Sequence, residues 1–301
     1  MRITVVYDNE VIKEGLRSGW GFSALIKRER AAPILFDTGA DSPTLLHNMR
    51  ELSIDPESIG TIVISHAHGD HTGGLSEVLR INKTAQLFLP TSFTRAFPGR
   101  RVTRVKEAIQ ICEDVFSTGE LQGIEQSLAL KTERGIFVLT GCTHPGMRNI
   151  LAAASKFGKV YGAGGGFHAF HDFKLFESLS LIYPCHCTQY KREILDLFQG
   201  RASECGAGLV IELRWDVLPS DSLSPFEAEG KMQEMEQGVC KWYRVCPMKF
   251  YYERGKLDRW WIDRYCLGDW ESCVRYKMEE GGEPHPDYML PSGELREELA
   301  K

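Results

Sequence analysis

Short apolar segments bounded by polar turns fill the first two thirds of the chain. β-Branched and apolar runs predict strands at 3–7, 22–26, 33–36, 61–64, 85–89, 126–131, 135–140, 160–161, 181–183 and 208–214. Apolar residues at helical spacing predict helices at 42–53, after Pro145 through 150–154, and at 189–198. This pattern of strands and helices ends near Leu218.

A polar segment separates this region from a tail of different composition. Residues 219–225 are mostly Pro, Ser and Asp, which favour turns. Beyond them the chain carries four cysteines, four tryptophans and many charged residues. We therefore predict a first domain at 1–218, a linker at 219–234 and a Cys-rich module at 235–301.

The overall composition excludes several classes of protein. The 301 residues carry a net charge of −5, with 43% hydrophobic and 26% charged residues, which disfavours a disordered chain and a general nucleic-acid binder. No apolar run approaches the ~18 residues of a membrane span, and the start of the chain lacks the apolar core of a signal peptide. We therefore expect a cytoplasmic protein, in which nine cysteines indicate metal or redox chemistry rather than disulfides. Cys112 and Cys205 are predicted to be plain thiols.

The segment from His66 to His71 is the strongest candidate for chemistry. It places three imidazoles and the carboxylate of Asp70 within six residues, directly after a predicted buried strand. In an extended segment His66 and His68 point the same way, whereas Asp70 and His71 begin the next turn or helix. Such ligands suit Zn, Fe or Mn, and a pair of ions would need about six of them. The alternative, a histidine-rich surface loop, is disfavoured by the position after a buried strand.

Three further histidines follow strand-like or glycine-rich segments: His144, His168 and His186. Each of them alone could equally be an ordinary loop residue. Together with the first cluster they favour a shared metal site.

Several segments of the first domain resemble the metallo-β-lactamase superfamily. The match rests on His66-Ala67-His68-Gly69-Asp70-His71-Thr72-Gly73-Gly74 and on Phe36-Asp37-Thr38-Gly39. Segments 19–23, 125–128, 141–146, 165–168 and 184–188 more specifically resemble the proteins named 7,8-dihydropterin-6-ylmethyl-4-(β-D-ribofuranosyl)aminobenzene 5′-phosphate synthase and similar hydrolases. The resemblance covers about residues 1–215. It implies an α/β fold, the four-layer αβ/βα sandwich of that superfamily, followed here by a small C-terminal Cys-rich domain.

The resemblance also implies two divalent metal ions, Zn or Fe/Mn, at one edge of paired sheets. It assigns His66 and His68 to the first ion. It assigns Asp70, His71 and His186 to the second ion.

This chain departs from the usual family order at two places. The histidine that many members carry ahead of a bridging Asp is missing near 123–125, and the usual T-G-D reads Thr140-Gly141-Cys142. We therefore predict His144 as the remaining histidine ligand. Cys142 could bridge the two ions or be a core cysteine.

Three residues are given roles beside or beyond metal binding. Asp70 is predicted to be catalytic, by orienting the attacking water and taking its proton. His168 is predicted as a ligand or a catalytic acid/base, with a supporting position behind the ligands as the alternative. Asp37 is expected to orient a metal-bound histidine by accepting its other ring proton.

The activity implied by the resemblance is hydrolysis of a small molecule by a metal-bound hydroxide. Phosphoesters, lactones, thioesters and pterin derivatives are candidate substrates. The basic residues at 100–106 could grip a phosphate, although a solvated surface turn is favoured. The glycines at 162–166 do not have the spacing of a dinucleotide fingerprint and are predicted to form a loop beside the metals.

The tail cysteines are Cys240, Cys246, Cys266 and Cys273. Four thiolates could hold a structural Zn or a [4Fe–4S] cluster, although the C-x2-C spacing of standard sites is missing. A metal is favoured over unligated core cysteines or a thiol switch, because a module of about 65 residues is near the size at which a core alone is marginal. An iron–sulfur cluster is slightly favoured over Zn because of the aromatic surroundings.

Two other functions stay open. One is an iron-dependent oxidoreductase or redox sensor that uses a tail cluster, and the other is a non-catalytic, metal-stabilised binding module. Trp260-Trp261 and Tyr251-Tyr252 could form a surface for a protein partner or a second copy of the chain, although packing in a core is favoured. A small molecule is the expected substrate, and neither nucleic acid nor a membrane is an expected partner.

Overall fold

The apolar strands of the first part of the chain assemble into two sheets in the computed structural model. The strands are β1 (Arg2–Tyr7), β2 (Ser23–Lys27), β3 (Ile34–Phe36), β4 (Thr61–Val63), β5 (Gln86–Pro90), β6 (Val102–Val105), β7 (Ile109–Cys112), β8 (Val115–Ser117), β9 (Leu128–Thr132), β10 (Gly135–Thr140), β11 (Val160–Gly166), β12 (Leu181–Cys185) and β13 (Val210–Glu212). The first sheet has the order β13-β1-β2-β3-β4-β5-β6, and the second has the order β12-β11-β10-β9-β8-β7.

The chain divides into two units, Met1–Asp221 and Ser222–Lys301. The structure describes residues 1–213, 240–243, 246–281, 283 and 285–300. The predicted linker at 219–234 and the start of the predicted module at 235–239 lie outside the described residues.

Five helices belong to the first unit: α1 (Ser42–Glu51), α2 (Gly69–Thr72), α3 (Leu75–Ile81), α4 (Met147–Ala154) and α5 (Lys191–Leu197). Apolar side chains of α1 and α3, such as Leu45 and Val78, pack with Leu35 of the first sheet. Those of α4 and α5, such as Ile150 and Ile194, pack on the second sheet.

A third apolar cluster lies between the two sheets. It combines alternate residues of first-sheet strands, such as Ile3 and Val5, with Leu128 and Phe137 of the second sheet. The alternation arises because successive side chains of a strand point to opposite faces. The order of layers is therefore helices, sheet, sheet and helices, which confirms the predicted four-layer α/β sandwich.

The glycines at 162–166 were expected in a loop, and this prediction is wrong. They belong to β11, which pairs in parallel with both β10 and β12. A Cβ at Gly162 would lie 2.7 Å from a ring carbon of Phe137. The small residues therefore let large side chains of neighbouring strands cross over β11.

The basic segment at 100–106 is also not simply a turn, because β6 occupies most of it. Arg100 donates hydrogen bonds to the carbonyls of Leu79 and Asn82, and Arg104 donates to those of Phe93 and Arg95. These two guanidinium groups therefore stabilise the neighbouring backbone through hydrogen bonds to its carbonyl groups.

One pair of cysteines departs from the expectation of reduced thiols. Cys185 and Cys205 form a disulfide with an S–S distance of 2.07 Å, so the prediction of a plain thiol is wrong for Cys205. Cys112 is a free thiol, as expected. The bridge joins the end of β12 to the segment before β13, a proximity that arises only in the folded chain.

The described part of the second unit consists of short helices around a small core. They are α6 (Pro247–Glu253), α7 (Arg259–Trp261), which continues as the π-helical segment Ile262–Cys266, and α8 (Val274–Gly281). Met248, Ile262 and Leu290 form the centre of this core, and Trp261 packs against it. Trp260 is 55% exposed, so the expected core packing applies to Trp261 and not to Trp260.

The helices of the described residues include none that combines the length and the apolar character needed to cross a membrane.

Two glycines beside α2 allow a matched test of the packing. A Cβ at Gly73 would lie 1.8 Å from the carbonyl oxygen of Ala40, whereas a Cβ at Gly69 would meet nothing within 4 Å. We expect Gly73→Ala to lower the free energy of unfolding by about 1–3 kcal/mol, and Gly69→Ala to change it by less than about 1 kcal/mol. Chemical denaturation of the three proteins would measure this, and equal stabilities for both variants would contradict the packing described.

Candidate metal centre

The predicted ligands lie at one edge of the paired sheets, because each follows the end of a strand. His66 and His68 come after β4, and Asp70 and His71 lie in α2 directly beyond them. In the second sheet, His144 follows β10 and His186 follows β12. Strands β4, β10 and β12 each have a parallel neighbour, and the carboxyl ends of parallel strands are the usual place for a site.

One group of side chains surrounds His66. Its ring centroid lies 4.5 Å from that of His68 and 4.8 Å from that of His144. Candidate ligand atoms of His66, Cys142 and His144 lie within 4.8 Å of one another, and so do those of His66, His68 and Asp70.

A second group adjoins the first and shares Cys142 with it. Candidate ligand atoms of Asp70, His71, Cys142 and His186 all lie within 4.8 Å of one another. His71 Nε2 lies 3.1 Å from Cys142 Sγ, and His186 Nε2 lies 3.1 Å from Asp70 Oδ2. The structure thus brings all six predicted metal ligands together, and the thiol of Cys142 lies where the two groups meet.

The chemistry of these residues fits divalent metal ions. His66 Nε2 and Asp70 Oδ1 are buried and have no hydrogen-bond partner among the described residues. A buried polar atom without a partner is costly, and a metal ion would satisfy both atoms. Imidazole and carboxylate suit Zn, Fe and Mn, and a thiolate shifts the preference towards Zn or Fe.

The orientation of two rings is set by Asp37, which is fully buried. Its Oδ2 accepts hydrogen bonds from His71 Nδ1 at 2.7 Å and from Ser65 Oγ at 2.7 Å. Ser65 Oγ in turn accepts from His66 Nδ1 at 2.8 Å. Because the Nδ1 atoms carry the protons, Nε2 of both rings keeps its lone pair for a ligand. The contact between Asp37 and a histidine that the sequence predicted is therefore present.

Sequence reasoning missed the residues that orient His186. Its Nδ1 lies 2.9 Å from the side-chain oxygen of Asn9, and its backbone N–H donates to Asp8 Oδ2 at 3.0 Å. Asp8 and Asn9 follow β1, as Asp37, which the family resemblance identified, follows β3. That position directly after an apolar strand is the signal that could have identified them.

Glu125 was also missed, and it holds the loop that carries Cys142 and His144. Its Oε1 accepts hydrogen bonds from the backbone N–H groups of Gly141, Cys142 and Thr143 at 3.0, 2.9 and 3.2 Å. Its Oε2 accepts from the N–H of His144 at 2.9 Å. Burial raises the pKa of Glu125, although the N–H donors of Cys142 and His144 act in the opposite direction. In the sequence Glu125 begins the segment 125–128 that resembles the family, but nothing there indicated its role.

The electrostatics of the second group favour a positive charge. Burial lowers the pKa of His71, but the carboxylates of Asp70 and Asp37 outweigh burial and raise that pKa to about 10. Burial raises the pKa of Asp70, but His71 and His186 outweigh it and leave that pKa below its ordinary value. The carboxylates therefore attract a cation to this position, and a metal ion would replace the proton of His71.

Three residues of the centre have a left-handed backbone conformation that residues other than Gly rarely adopt. The φ angles are 58° at Asp37, 47° at His168 and 45° at His186. Such strain persists where surrounding contacts over-determine the chain, and it concentrates at functional sites.

His168 lies beside the predicted ligands. Its ring centroid is 5.0 Å from that of His144. Among the described residues, His168 belongs to none of the groups whose candidate ligand atoms lie within 4.8 Å of one another. Burial raises the pKa of the nearby Cys187 thiol, but Cys142, His186 and then His168 outweigh burial and lower that pKa.

The four predicted ligands of the tail, Cys240, Cys246, Cys266 and Cys273, belong to the second unit and not to this centre.

Comparison with known proteins gives consistent matches. A model of the metallo-β-lactamase superfamily matches residues 21–98. A Methanocaldococcus jannaschii 7,8-dihydropterin-6-methyl-4-(β-D-ribofuranosyl)-aminobenzene-5′-phosphate synthase is 27% identical, over 60% of this chain and 84% of that protein. An uncharacterised protein of the same organism is 30% identical, over 63% of this chain and 91% of that protein. The crystal structure of a metal-dependent hydrolase of the β-lactamase superfamily superimposes with a TM-score of 0.59 at 27% identity, over 71% of this chain and 99% of that one.

The role of Glu125 can be tested with a nearly isosteric variant. In Glu125→Gln one oxygen is replaced by an NH2 group that faces a backbone N–H donor. We expect the free energy of unfolding to fall by about 1–3 kcal/mol and zinc affinity to fall about 10–100-fold. Denaturation and competitive zinc titration with a chelator would measure the two effects.

Glu120→Gln is the matched control, because Glu120 accepts backbone hydrogen bonds from Thr91 and Ser92 in a surface loop. Its zinc affinity should equal that of the unmodified protein. An equal loss of zinc affinity in both variants, or in neither, would contradict the role assigned to Glu125.

Proposed function

Because the chain belongs to the metallo-β-lactamase superfamily, we propose that it is a metal-dependent hydrolase with a dinuclear centre. The ligands in this proposal are His66, His68 and His144 for one ion, Asp70, His71 and His186 for the other, and Cys142 between them.

One observation carries the proposal. Two sets of candidate ligand atoms, those of His66, Cys142 and His144 and those of Asp70, His71, Cys142 and His186, each lie within 4.8 Å and share the thiol of Cys142. His68 joins His66 and Asp70 in a third set of this kind. A single ion does not need seven donors of this kind, whereas two neighbouring ions need about six protein ligands. Among the described residues His66 Nε2 and Asp70 Oδ1 have no hydrogen-bond partner, which supports the same interpretation.

When bound, such a pair of ions lowers the pKa of a coordinated water to about 7 and polarises the bond to be cleaved. The residues of the chain then have separate tasks. Of the two oxygens of Asp70, Oδ1 has no hydrogen-bond partner among the described residues and would bind the ion. Oδ2, which lies 3.1 Å from His186 Nε2, can orient the attacking water and accept its proton. His168, at the rim beside His144, is positioned to hold or protonate the leaving group.

Cys142 takes the place in which many family members have an Asp. A thiolate is a softer donor than a carboxylate, so this substitution favours Zn or Fe over Mn. The backbone around Cys142 is fixed by Glu125, which places the sulfur without help from the metal.

The proposed substrate is a small phosphorylated or pterin-like molecule. The support is the printed name of the M. jannaschii relative, a synthase of a phosphorylated dihydropterin compound. Arg100 and Arg104 are held by backbone carbonyls, so the phosphate contact that the sequence suggested at 100–106 has no support from these two side chains.

The metal centre can be tested by removing one ligand from each group. We expect His68→Ala and Asp70→Asn each to lower the bound metal and to reduce hydrolysis of a chromogenic phosphodiester, bis(p-nitrophenyl) phosphate, at least about 100-fold. Elemental analysis and a rate assay give the two readouts. His47→Ala is the control, because His47 is a histidine on α1 that hydrogen-bonds to the backbone of Gly15. Unchanged metal content and rate in both ligand variants would refute the centre.

The role of Cys142 can be tested by spectroscopy without a substrate. With Co²⁺ in place of the native metal, a thiolate ligand gives a charge-transfer band in the near ultraviolet. We expect Cys142→Ser to lose part of this band, whereas Cys112→Ser, which changes a free thiol outside the centre, keeps all of it. Identical spectra for both variants would show that Cys142 is not a ligand.

A further inference from the structure

We propose that Cys240, Cys246, Cys266 and Cys273 of the second unit bind an iron–sulfur cluster of the [4Fe–4S] type. This proposal is independent of the proposed hydrolase, because no ligand of the histidine centre belongs to the second unit.

The four cysteines belong to one small unit, and the fold links their segments. All four are free, and Cys240, Cys266 and Cys273 are buried, with exposures of 8%, 5% and 8%. The backbone N–H of Cys240 donates to the carbonyl of Cys266 at 2.7 Å, which joins two segments that are distant in the sequence. Cys246 stands directly before α6, and Cys273 stands directly before α8.

The thiols also influence one another electrostatically. Burial raises the pKa of Cys240 to about 12, and Cys246 and Cys273 add to this effect. The pKa of Cys266 is raised first by burial and then by the other three thiols. With raised pKa values these buried sulfurs stay neutral thiols, and a bound cation is what would make thiolates stable there.

Backbone hydrogen bonds already favour thiolates at two of these positions. The backbone N–H groups of Trp242 and Tyr243 lower the pKa of Cys240, and those of Tyr276 and Arg275 lower the pKa of Cys273, in both cases against the larger effect of burial. Hydrogen bonds of this kind stabilise the charge on cluster-bound sulfur and tune its reduction potential.

A buried arginine supplies a second, independent observation. Arg275 is 4% exposed, and its Nη1 donates to the carbonyls of Pro286, Asp287 and Met289. Its Nε has no hydrogen-bond partner among the described residues. The charge of Arg275 lowers the pKa of Cys266 and Cys273, against the larger effect of burial. A buried cation needs a compensating anion, and a cluster held by four thiolates has a net negative charge.

The described tail thiols are not arranged as they would be around one zinc ion. Around one tetrahedral zinc the sulfurs would lie about 3.8 Å apart, given a Zn–S distance of about 2.3 Å. In the described part of the second unit, no three of these thiols fall within 4.8 Å of one another. In a cluster each sulfur binds a different iron, so the four sulfurs are farther apart.

The test uses the full chain purified without oxygen. We expect about four iron atoms and four acid-labile sulfides per chain and the broad visible absorption of a brown protein. His68→Ala should keep the sulfide and the colour, whereas Cys266→Ser should lose both, and Cys112→Ser should behave as the unmodified protein. Arg275→Gln should keep the cluster but lower its reduction potential, because a nearby positive charge is removed.

Acid-labile sulfide in the unmodified protein decides the question even if Cys266→Ser does not fold, because the histidine centre contains no sulfide. No sulfide after purification and after reconstitution with iron, sulfide and dithiothreitol would overturn the proposal. One zinc ion per chain that His68→Ala keeps and Cys266→Ser loses would overturn it as well. The histidine centre is tested separately, by the metal content that His68→Ala is expected to lose.

Discussion

The buried carboxylate of Asp37 is the interaction on which the histidine centre depends. Its backbone N–H donates to Val63, and its two side-chain oxygens accept from the backbone and the hydroxyl of Ser65 and from the ring of His71, each at 2.7 Å. A fully buried carboxylate needs donors from every side, so it fixes the end of β4 and helix α2 relative to β3. The rings of His66 and His71 are thereby oriented by the protein, in advance of any metal.

Other polar residues orient further candidate ligands in the same way, by hydrogen bonds from behind. Asn9 holds His186, and Glu125 holds the loop of Cys142 and His144. Each is a polar group that satisfies a ligand's outer nitrogen or the backbone behind it, as is usual for metal sites. The left-handed backbone at His186 is maintained because these hydrogen bonds outweigh the cost of strain.

The two units differ in the chemistry that they offer to metals. The first presents imidazoles, the carboxylate of Asp70 and the thiol of Cys142, a set that suits hydrolysis. The second presents four thiols and the buried Arg275, whose charge lowers the pKa of Cys266 and Cys273, a set that suits iron and sulfide. Both sites depend on burial. Away from water, an unpaired polar atom or charge interacts more strongly with a metal ion or a cluster.

The sequence by itself predicted ten of the strands that the structure describes, but not β6, β7 and β8. β-Branched and apolar runs mark β1 and β4, the family resemblance supplied the layers, and the residue types from His66 to His71 predict a metal site. Only the tertiary structure decided that Cys185 pairs with Cys205, that the glycines at 162–166 form a central strand and that Glu125 supports the centre. The physical reason is that these features are contacts between segments far apart in the chain, whereas periodicity and residue type are local properties.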